Sequence, residues 1–408
     1  MSKNKTTPSY FEKVIQLLKS EKLYPDIGVV SGPSSQPEII INGQKLVTFC
    51  SNNYLGLANN EEVKKAVISG LNKYGFGSAS TRLLSGTLDI QVDFETALAS
   101  FYGFGDSITF SSGYLANIGV IRMLVDPFPY FPTPFDNGNG VIFSDELNHA
   151  SMVEAARLSK AERVIYKHND MDDLEKGLIR HKNGRKLIIT DGIFSMDGDF
   201  ANLVSISRLA KDYNALIFVD DSHGTGVLGP NGEGTAHQLG VADNIDVIMG
   251  SFTKAWGGLG GFTVIKNKTI ADYLRVTARS YIFSDPILPS TVAGLIKTLE
   301  IIKHGSGLRQ KTLSNAKYLR SELKKMGYEV LGADNIPIIP PLLGSEKNAI
   351  EFSRRLKEVG IFAPAVRRPA VTEGRERLRL TTMSTHTRFQ IDFLLEQMYK
   401  IGKELRII

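Results

Sequence analysis

The residues best suited to chemistry gather between 214 and 262, in the stretch NALIFVDDSHGTGVLGPNGEGTAHQLGVADNIDVIMGSFTKAWGGLGGF. It offers an acid pair (Asp220, Asp221), a histidine (His223) and, thirty-odd residues on, one lysine (Lys254) followed by glycines at 257, 258, 260 and 261. A carboxylate beside a heterocyclic nitrogen can hold that nitrogen protonated, and a lysine amine can form a Schiff base with an aldehyde. Together these groups suit pyridoxal 5'-phosphate, an electron sink for carbanions. On the residues alone a second reading stays open, in which Asp220 caps a turn and Lys254 is a solvated surface lysine.

Two short apolar runs must deliver these groups to one place. Ala215 to Val219 is β-branched and ends at Asp220, and Val247 to Gly250 leads into Ser251-Phe252-Thr253-Lys254. Both read as buried parallel strands whose carboxyl ends carry polar side chains, which is where open α/β sheets bind ligands. The pattern recurs. Ile108-Thr109-Phe110 feeds Ser111-Ser112-Gly113-Tyr114-Leu115-Ala116-Asn117, a strand running into a helix whose free N–H groups could cradle a phosphate. Val141-Ile142-Phe143 runs into SDELNHAS, which holds His149, a ring flat enough to stack on a pyridine, and Leu187 to Thr190 runs into DGIFSMDGD.

Strand and helix alternation from about 60 to 290, with a helix over 61–73, predicts a mostly parallel central sheet covered by helices on both faces. Before it, residues 8–24 form an amphipathic arm, and the runs around Asn42-Gly43 predict a hairpin. After it, 290–325 reads as helical, 336–343 as a proline-marked edge strand and 347–359 as helix. The expected divisions are an N-terminal arm and hairpin (1–58), a large cofactor-binding domain (59–290) and a small C-terminal α+β domain (291–408). Asp126 to Gly140, DPFPYFPTPFDNGNG, is too rich in proline for a regular element. It reads as an inserted loop that either touches an acyl chain or a partner subunit, or packs on its own surface.

Composition narrows the class. A chain of 408 residues with 42% hydrophobic and 22% charged residues can bury a large core. A single cysteine, Cys50, rules out an internal disulfide and fits a reducing compartment. Neither a secretory h-region nor a membrane-span-length apolar run is present, so a cytoplasmic location is expected. The formal charge of +5 is dispersed, without the basic stripe that nucleic-acid binding would need. It suits an anionic substrate such as a coenzyme A thioester, and equally ordinary surface lysines. No metal site is read.

From about Val47 onward the motifs, in order, resemble the α-oxoamine synthase family of fold-type I pyridoxal-phosphate enzymes. The resemblance rests on Ser51-Asn52-Asn53-Tyr54-Leu55-Gly56-Leu57, on 111–117, on the 145–151 and 190–199 segments, and on 220–226 and 251–262. It implies that Lys254 carries the Schiff base and then serves as base, while Asp220 pairs with the ring nitrogen. His149 would stack on the ring and His223 orient its phenolic oxygen, with Ser195 near that oxygen. The phosphate would lie on Ser112, Gly113, Tyr114 and Ser251, and Ser284 would reach it from the partner subunit.

Five arginines crowd 367–379. The family pattern assigns Arg379 to the substrate carboxylate together with Asn52, whose other reading is an Asx-turn, and it adds Arg367 and an acid at Asp191. Two positions depart from it: Gln91 stands where many relatives have His, and Asp191 where some branches have the longer Glu. The other histidines, His168, His181 and His304, lie in polar segments and are expected to be solvated. The implied activity is condensation of an amino acid (glycine, alanine or serine) with an acyl-coenzyme A or acyl-carrier-protein thioester, with loss of carbon dioxide, in a homodimer. An aminotransferase or lyase of the same fold is the alternative.

Overall fold

A run of residues buried on both sides needs a sheet with helices on both faces, and that is how the apolar runs are used. The computed structural model describes residues 7–21, 23–24, 27–135 and 138–408. Residues 1–6, 22, 25 and 26 of the expected N-terminal arm, and Asp136 and Asn137 of the proline-rich loop, lie outside these. Ten strands build the hairpin and the central sheet: β1 Val30–Ser31, β2 Glu38–Ile41, β3 Gln44–Thr48, β4 Asp106–Phe110, β5 Val141–Asp145, β6 Glu162–Tyr166, β7 Lys186–Asp191, β8 Leu216–Asp220, β9 Val247–Ser251 and β10 Gly261–Ile265.

The central sheet has seven strands in the order β4-β10-β9-β8-β7-β5-β6. β5 to β9 run parallel, whereas β10 is antiparallel to both neighbours, β9 and β4. Six strands therefore share one direction, and their carboxyl ends form one edge. The register lines that edge up: Asp191 lies opposite Asp220, Asp220 opposite Met249, and Ser251 opposite Gly261.

Side chains alternate between two cores. Ile188, Ile217, Val219, Ile248 and Phe262 face one, and Leu187, Ile189, Phe218, Val247 and Met249 the other. Complete burial of such a side chain is worth about 2 kcal/mol, and a slip of one residue would send each set into the core shaped for the other.

Helices α1 Thr7–Ser20, α2 Glu61–Tyr74, α3 Asp89–Tyr102, α4 Gly113–Val125 and α5 Ala150–Leu158 include the two that bring site residues. α4 and α5 start just past the carboxyl ends of β4 and β5. α4 is capped by Ser112, whose Oγ accepts from the Leu115 N–H at 3.1 Å. Its 13 residues then carry the chain about 20 Å away from that edge. The 126–140 loop consequently begins at the opposite end of the sheet and does not border Lys254. Within the loop Phe128 packs on Tyr130 and Phe131, and it also meets Tyr273.

The C-terminal region builds a third core from Leu319, Leu323, Phe352, Leu356, Leu380, Leu394 and Met398, with Phe49 joining from the N-terminal side. The β2–β3 hairpin turns at Asn42 (φ 49°) and Gly43 (φ 81°), the left-handed pair that a two-residue turn demands. β3 pairs in parallel with Ile361–Phe362, so the hairpin belongs to a sheet completed from the C-terminal region. Among the described residues no helix is long and apolar enough to cross a membrane.

Candidate active site

A cavity of about 260 Å³ opens along the carboxyl edge of the sheet. It is lined by Ser112, Gly113, Tyr114, His149, Asp191, Ser195, Asp220, His223, Ser251 and Lys254 of the expected set, and by Ser151, Ser222, Met249 and Thr253. Segments far apart in the chain thus meet because each follows a strand of the same sheet.

The acid is held first. Asp220 Oδ2 accepts from Asn117 Nδ2 at 2.8 Å, and Oδ1 accepts from the Ser222 N–H at 3.1 Å. Asp191 is tied to the other wall, where its Oδ2 accepts from the His149 backbone N–H at 2.8 Å. Burial, and then repulsion from Asp220, hold the Asp191 carboxyl well above the usual carboxylate range.

Burial also pushes the Lys254 amine below the ordinary lysine value, with Asp220 and Asp191 opposing and Arg379 reinforcing the shift. His223 is driven well below the ordinary imidazole value by burial, then by the positive charges of Lys254 and Arg379. Its Nδ1 meets the Tyr54 hydroxyl at 2.7 Å.

On the far side Asn52 Oδ1 accepts from Arg379 Nη1 at 3.1 Å and from the Tyr54 hydroxyl at 3.2 Å, while Arg379 Nε donates to the Ser195 carbonyl at 2.5 Å. Neither Asn52 nor Arg379 is in the lining; Arg379 borders it through the Ser195 carbonyl, and its charge is felt at Lys254 and His223. Arg367 is not in the lining; its guanidinium pairs with Glu346. Ser284 also lies outside the lining and stands 3.5 Å from Ser111 Oγ.

The residues fit pyridoxal phosphate. A buried amine, a carboxylate at a strand end and a flat imidazole face one space, and the first turn of α4 points N–H groups without intrahelical acceptors towards it. That turn is seated unusually close to the sheet. A Cβ on Gly261 would lie 2.6 Å from the Gly113 nitrogen, so only glycine permits the approach. Hydroxyls of Ser112, Ser251 and Thr253 complete a donor set appropriate to a phosphate; Ser251 Oγ and Thr253 Oγ1 are 2.7 Å apart.

The aminotransferase class I and II model matches residues 44–398. The chain belongs to that family. It is 41% identical over 400 residues to the 8-amino-7-oxononanoate synthase of Lysinibacillus sphaericus, covering 98% of this chain and 99% of the relative. Among solved structures it resembles a serine palmitoyltransferase from S. paucimobilis with a bound PLP–myriocin aldimine, at TM-score 0.91 and 30% identity over 99% of this chain and 100% of that one. It also resembles the 8-amino-7-oxononanoate synthase of Francisella tularensis, at TM-score 0.75 and 27% identity over 89% of this chain and 98% of that one. The fold-type I architecture expected from the sequence agrees with these neighbours.

Three residues of the site have no role that the sequence alone assigns. Asn117, Tyr54 and Ser151 all lie inside the quoted motifs, yet only packing shows what they touch. The signal available for Asn117 is its helical spacing from Val120, Ile121 and Leu124, since an asparagine on an apolar face needs polar partners once buried.

The expectation of solvated histidines fails for His168. Its Nδ1 is 3.0 Å from Asp145 and its Nε2 2.9 Å from Asp199, and its ring stands edge-on to Phe194. Burial opposes the charged ring, but its hydrogen bonds to both carboxylates overcome this and raise the pKa to about 10. His181 likewise bonds the Gly177 carbonyl at 2.8 Å and Glu162 at 3.0 Å. Gln91 makes buried contacts of its own, donating to the Ile287 carbonyl at 3.1 Å and accepting from the Leu88 N–H at 3.0 Å.

Proposed function

We propose that the protein is a pyridoxal-phosphate-dependent acyltransferase that joins an α-amino acid to an acyl thioester, releasing carbon dioxide and the thiol and yielding an α-amino ketone. The observation that carries this is the buried Lys254 amine sharing one cavity with Asp220, His149 and the open first turn of α4. The family membership and the full-length likeness to synthases of this kind support it.

The cofactor, when bound, supplies an electron sink that stabilises the α-carbanion of the amino acid. Everything else falls to the chain. Asp220, held by Asn117 and the Ser222 N–H, presents its carboxylate to the heterocyclic nitrogen. His149 would cover the ring, and the α4 turn with Ser112 and Ser251 would take the phosphate. Lys254 Nζ, kept easily deprotonated by burial, would hold the cofactor and serve as the base for the α-proton. Arg379, aligned by Asn52, grips the substrate carboxylate with its planar fork. His223, uncharged and hydrogen-bonded to Tyr54, would orient the phenolic oxygen beside Ser195. Loss of the carboxylate as carbon dioxide and return of a proton to the α-carbon leave the amino ketone.

The identity to 8-amino-7-oxononanoate synthases favours their product. In that molecule the ketone adjoins the amine-bearing carbon, which carries a terminal methyl. Disconnecting the bond between those two carbons and restoring the lost carboxylate gives alanine and an acyl group ending in a carboxylate. We therefore place alanine ahead of glycine and serine, with coenzyme A or a carrier protein as the thiol. A second copy of the chain would cover the exposed Tyr114, Leu259 and Phe283 near the cavity and bring Ser284 to the partner's phosphate site. Light scattering should show a dimer. The free thiol of Cys50 fits a cytoplasmic setting.

The test is thiol release on mixing the purified protein with pyridoxal phosphate, each amino acid and acyl thioesters in turn. Alanine with a carboxylate-ended thioester should be fastest, and Lys254→Ala should abolish both turnover and the visible band of the bound cofactor. Normal turnover in that variant would overturn the proposal. The family description favours one other reading, amino-group transfer. It requires turnover with a keto acid and no thioester.

A further inference from the structure

Between the acid and His149 runs a chain of hydrogen bonds of which the proposed reaction uses only the end at Asp220. Asn117 is fully buried in α4 and donates from Nδ2 both to Asp220 Oδ2, at 2.8 Å, and to Ser151 Oγ, at 2.7 Å. Ser151, also buried in the first turn of α5, reaches His149 Nδ1 at 2.7 Å from Oγ, and its backbone N–H points at the same nitrogen from 3.3 Å.

The acid sets the direction of the first bond, and the Ser151 backbone N–H sets that at His149. Asp220 Oδ2 is an acceptor, so the amide must present its NH₂; reversing the amide would set two acceptors 2.8 Å apart. Both amide hydrogens are then committed, one to Asp220 and one to Ser151. Ser151 Oγ, accepting from Asn117, turns its own hydrogen to His149 Nδ1, and the backbone N–H adds a second donor there. His149 Nδ1 is therefore an acceptor, as expected of the side chain that caps α5.

One further detail separates this chain from ordinary packing. Asn117 Oδ1 has no partner among the described residues. An amide placed only to fill space would satisfy both of its ends, whereas this one leaves its acceptor idle and commits its donors to two site residues.

We propose that Asn117 and Ser151 form a positioning relay that carries the orientation of Asp220 to His149 and fixes the imidazole proton on Nε2. The acid that meets the cofactor nitrogen and the ring that covers the cofactor then act as one unit. That catalytic consequence rests on the proposed function; the tautomer itself does not. The remaining titratable groups around His149 are Asp191, which accepts from its backbone N–H, and His223 and Lys254 across the cavity.

The test is nitrogen NMR of the full chain labelled in its histidines, without and with pyridoxal phosphate. The His149 signal is identified by its loss in His149→Gln. The wild type should show Nε2 protonated and Nδ1 bare. Ser151→Ala should shift the tautomer ratio about tenfold towards Nδ1–H, the change that one neutral hydrogen bond is worth. Asn117→Ala, which leaves the Ser151 hydroxyl free to rotate, should move it the same way, and Ser151→Thr, which keeps the hydroxyl, should restore it. In turnover, each single alanine variant should lower kcat with little change in the amino-acid KM, and the double variant should lose no more than the worse single one.

An Nδ1–H tautomer in the wild type would overturn the relay, as would an unchanged ratio in both Ser151→Ala and Asn117→Ala or fully additive losses in the double variant. Because the NMR readout needs neither thioester nor amino acid, a protein that proved to transfer amino groups would sink the proposed function and leave this result standing.

Discussion

Replacing His168 with glutamine tests how the 194–199 turn is held beside the site. The ring bridges Asp145, almost wholly buried, and Asp199, and its pKa is raised from 6.5 to about 10. A group whose folded-state pKa lies above its unfolded value stabilises the fold fully below about 6.5, and this contribution is lost as the pH climbs through about 10. The gap between those values is worth at most about 5 kcal/mol. With 22% of the side chain still in water, about 2 kcal/mol is the reasonable expectation.

His168→Gln keeps the side chain polar but removes the cation between the two carboxylates. Its urea midpoint, read from Trp256, the only tryptophan, at fixed protein and cofactor concentrations, should fall below that of the wild type at pH 6.5 by the equivalent of about 2 kcal/mol. The difference should shrink steadily as the pH approaches 10. A constant difference across that range would refute the claim that a charged imidazole holds the turn.

Three other substitutions probe separate parts of the structure. Arg379→Lys removes the fork that bonds Asn52 and the Ser195 carbonyl; the amino-acid KM should rise about 10- to 100-fold with the thioester KM unchanged, and equal changes in both would contradict the assignment. Gly261→Ala forces a methyl to 2.6 Å from the Gly113 nitrogen. It should displace the α4 turn, weaken cofactor binding at least about tenfold and cost about 2 kcal/mol of stability, so an unchanged cofactor dissociation constant would show that the turn does not hold phosphate. Glu95→Gln leaves the buried Arg82 guanidinium without its 2.9 Å carboxylate partner. Denaturant unfolding should show a loss of about 3 to 5 kcal/mol, and a loss below about 1 kcal/mol would mean that water replaces the pair.

The parts of this site legible in the sequence are those announced by a strand. Asp191, Asp220 and Ser251 each end an apolar run, and the register of one sheet brings them into line. What stays hidden depends on side chains that meet only after packing. His168 looks solvated because its own neighbours are polar, whereas its partners lie 23 and 31 residues away. The arginines between 367 and 379 look alike in the sequence. Their fates are decided by short pairings: Arg377, opposite Val366, bonds Asp197, Arg379 reaches Asn52, and Arg367 meets Glu346. Neither periodicity nor composition encodes such choices, since these arginines lie in or beside two-residue strands.

The bond from Arg379 to Asn52 spans 327 residues. During synthesis at about 5–20 residues per second, Asn52, the α4 turn, Asp220 and Lys254 leave the ribosome in turn, and the proposed substrate-carboxylate grip cannot close until the segment holding Arg379 has followed. The phosphate cradle of one chain is complete once β10, ending at Ile265, has followed, and it can form earlier. A nascent chain could therefore hold its cofactor well before it can hold an amino acid, which would keep reactive chemistry from starting on an unfinished molecule.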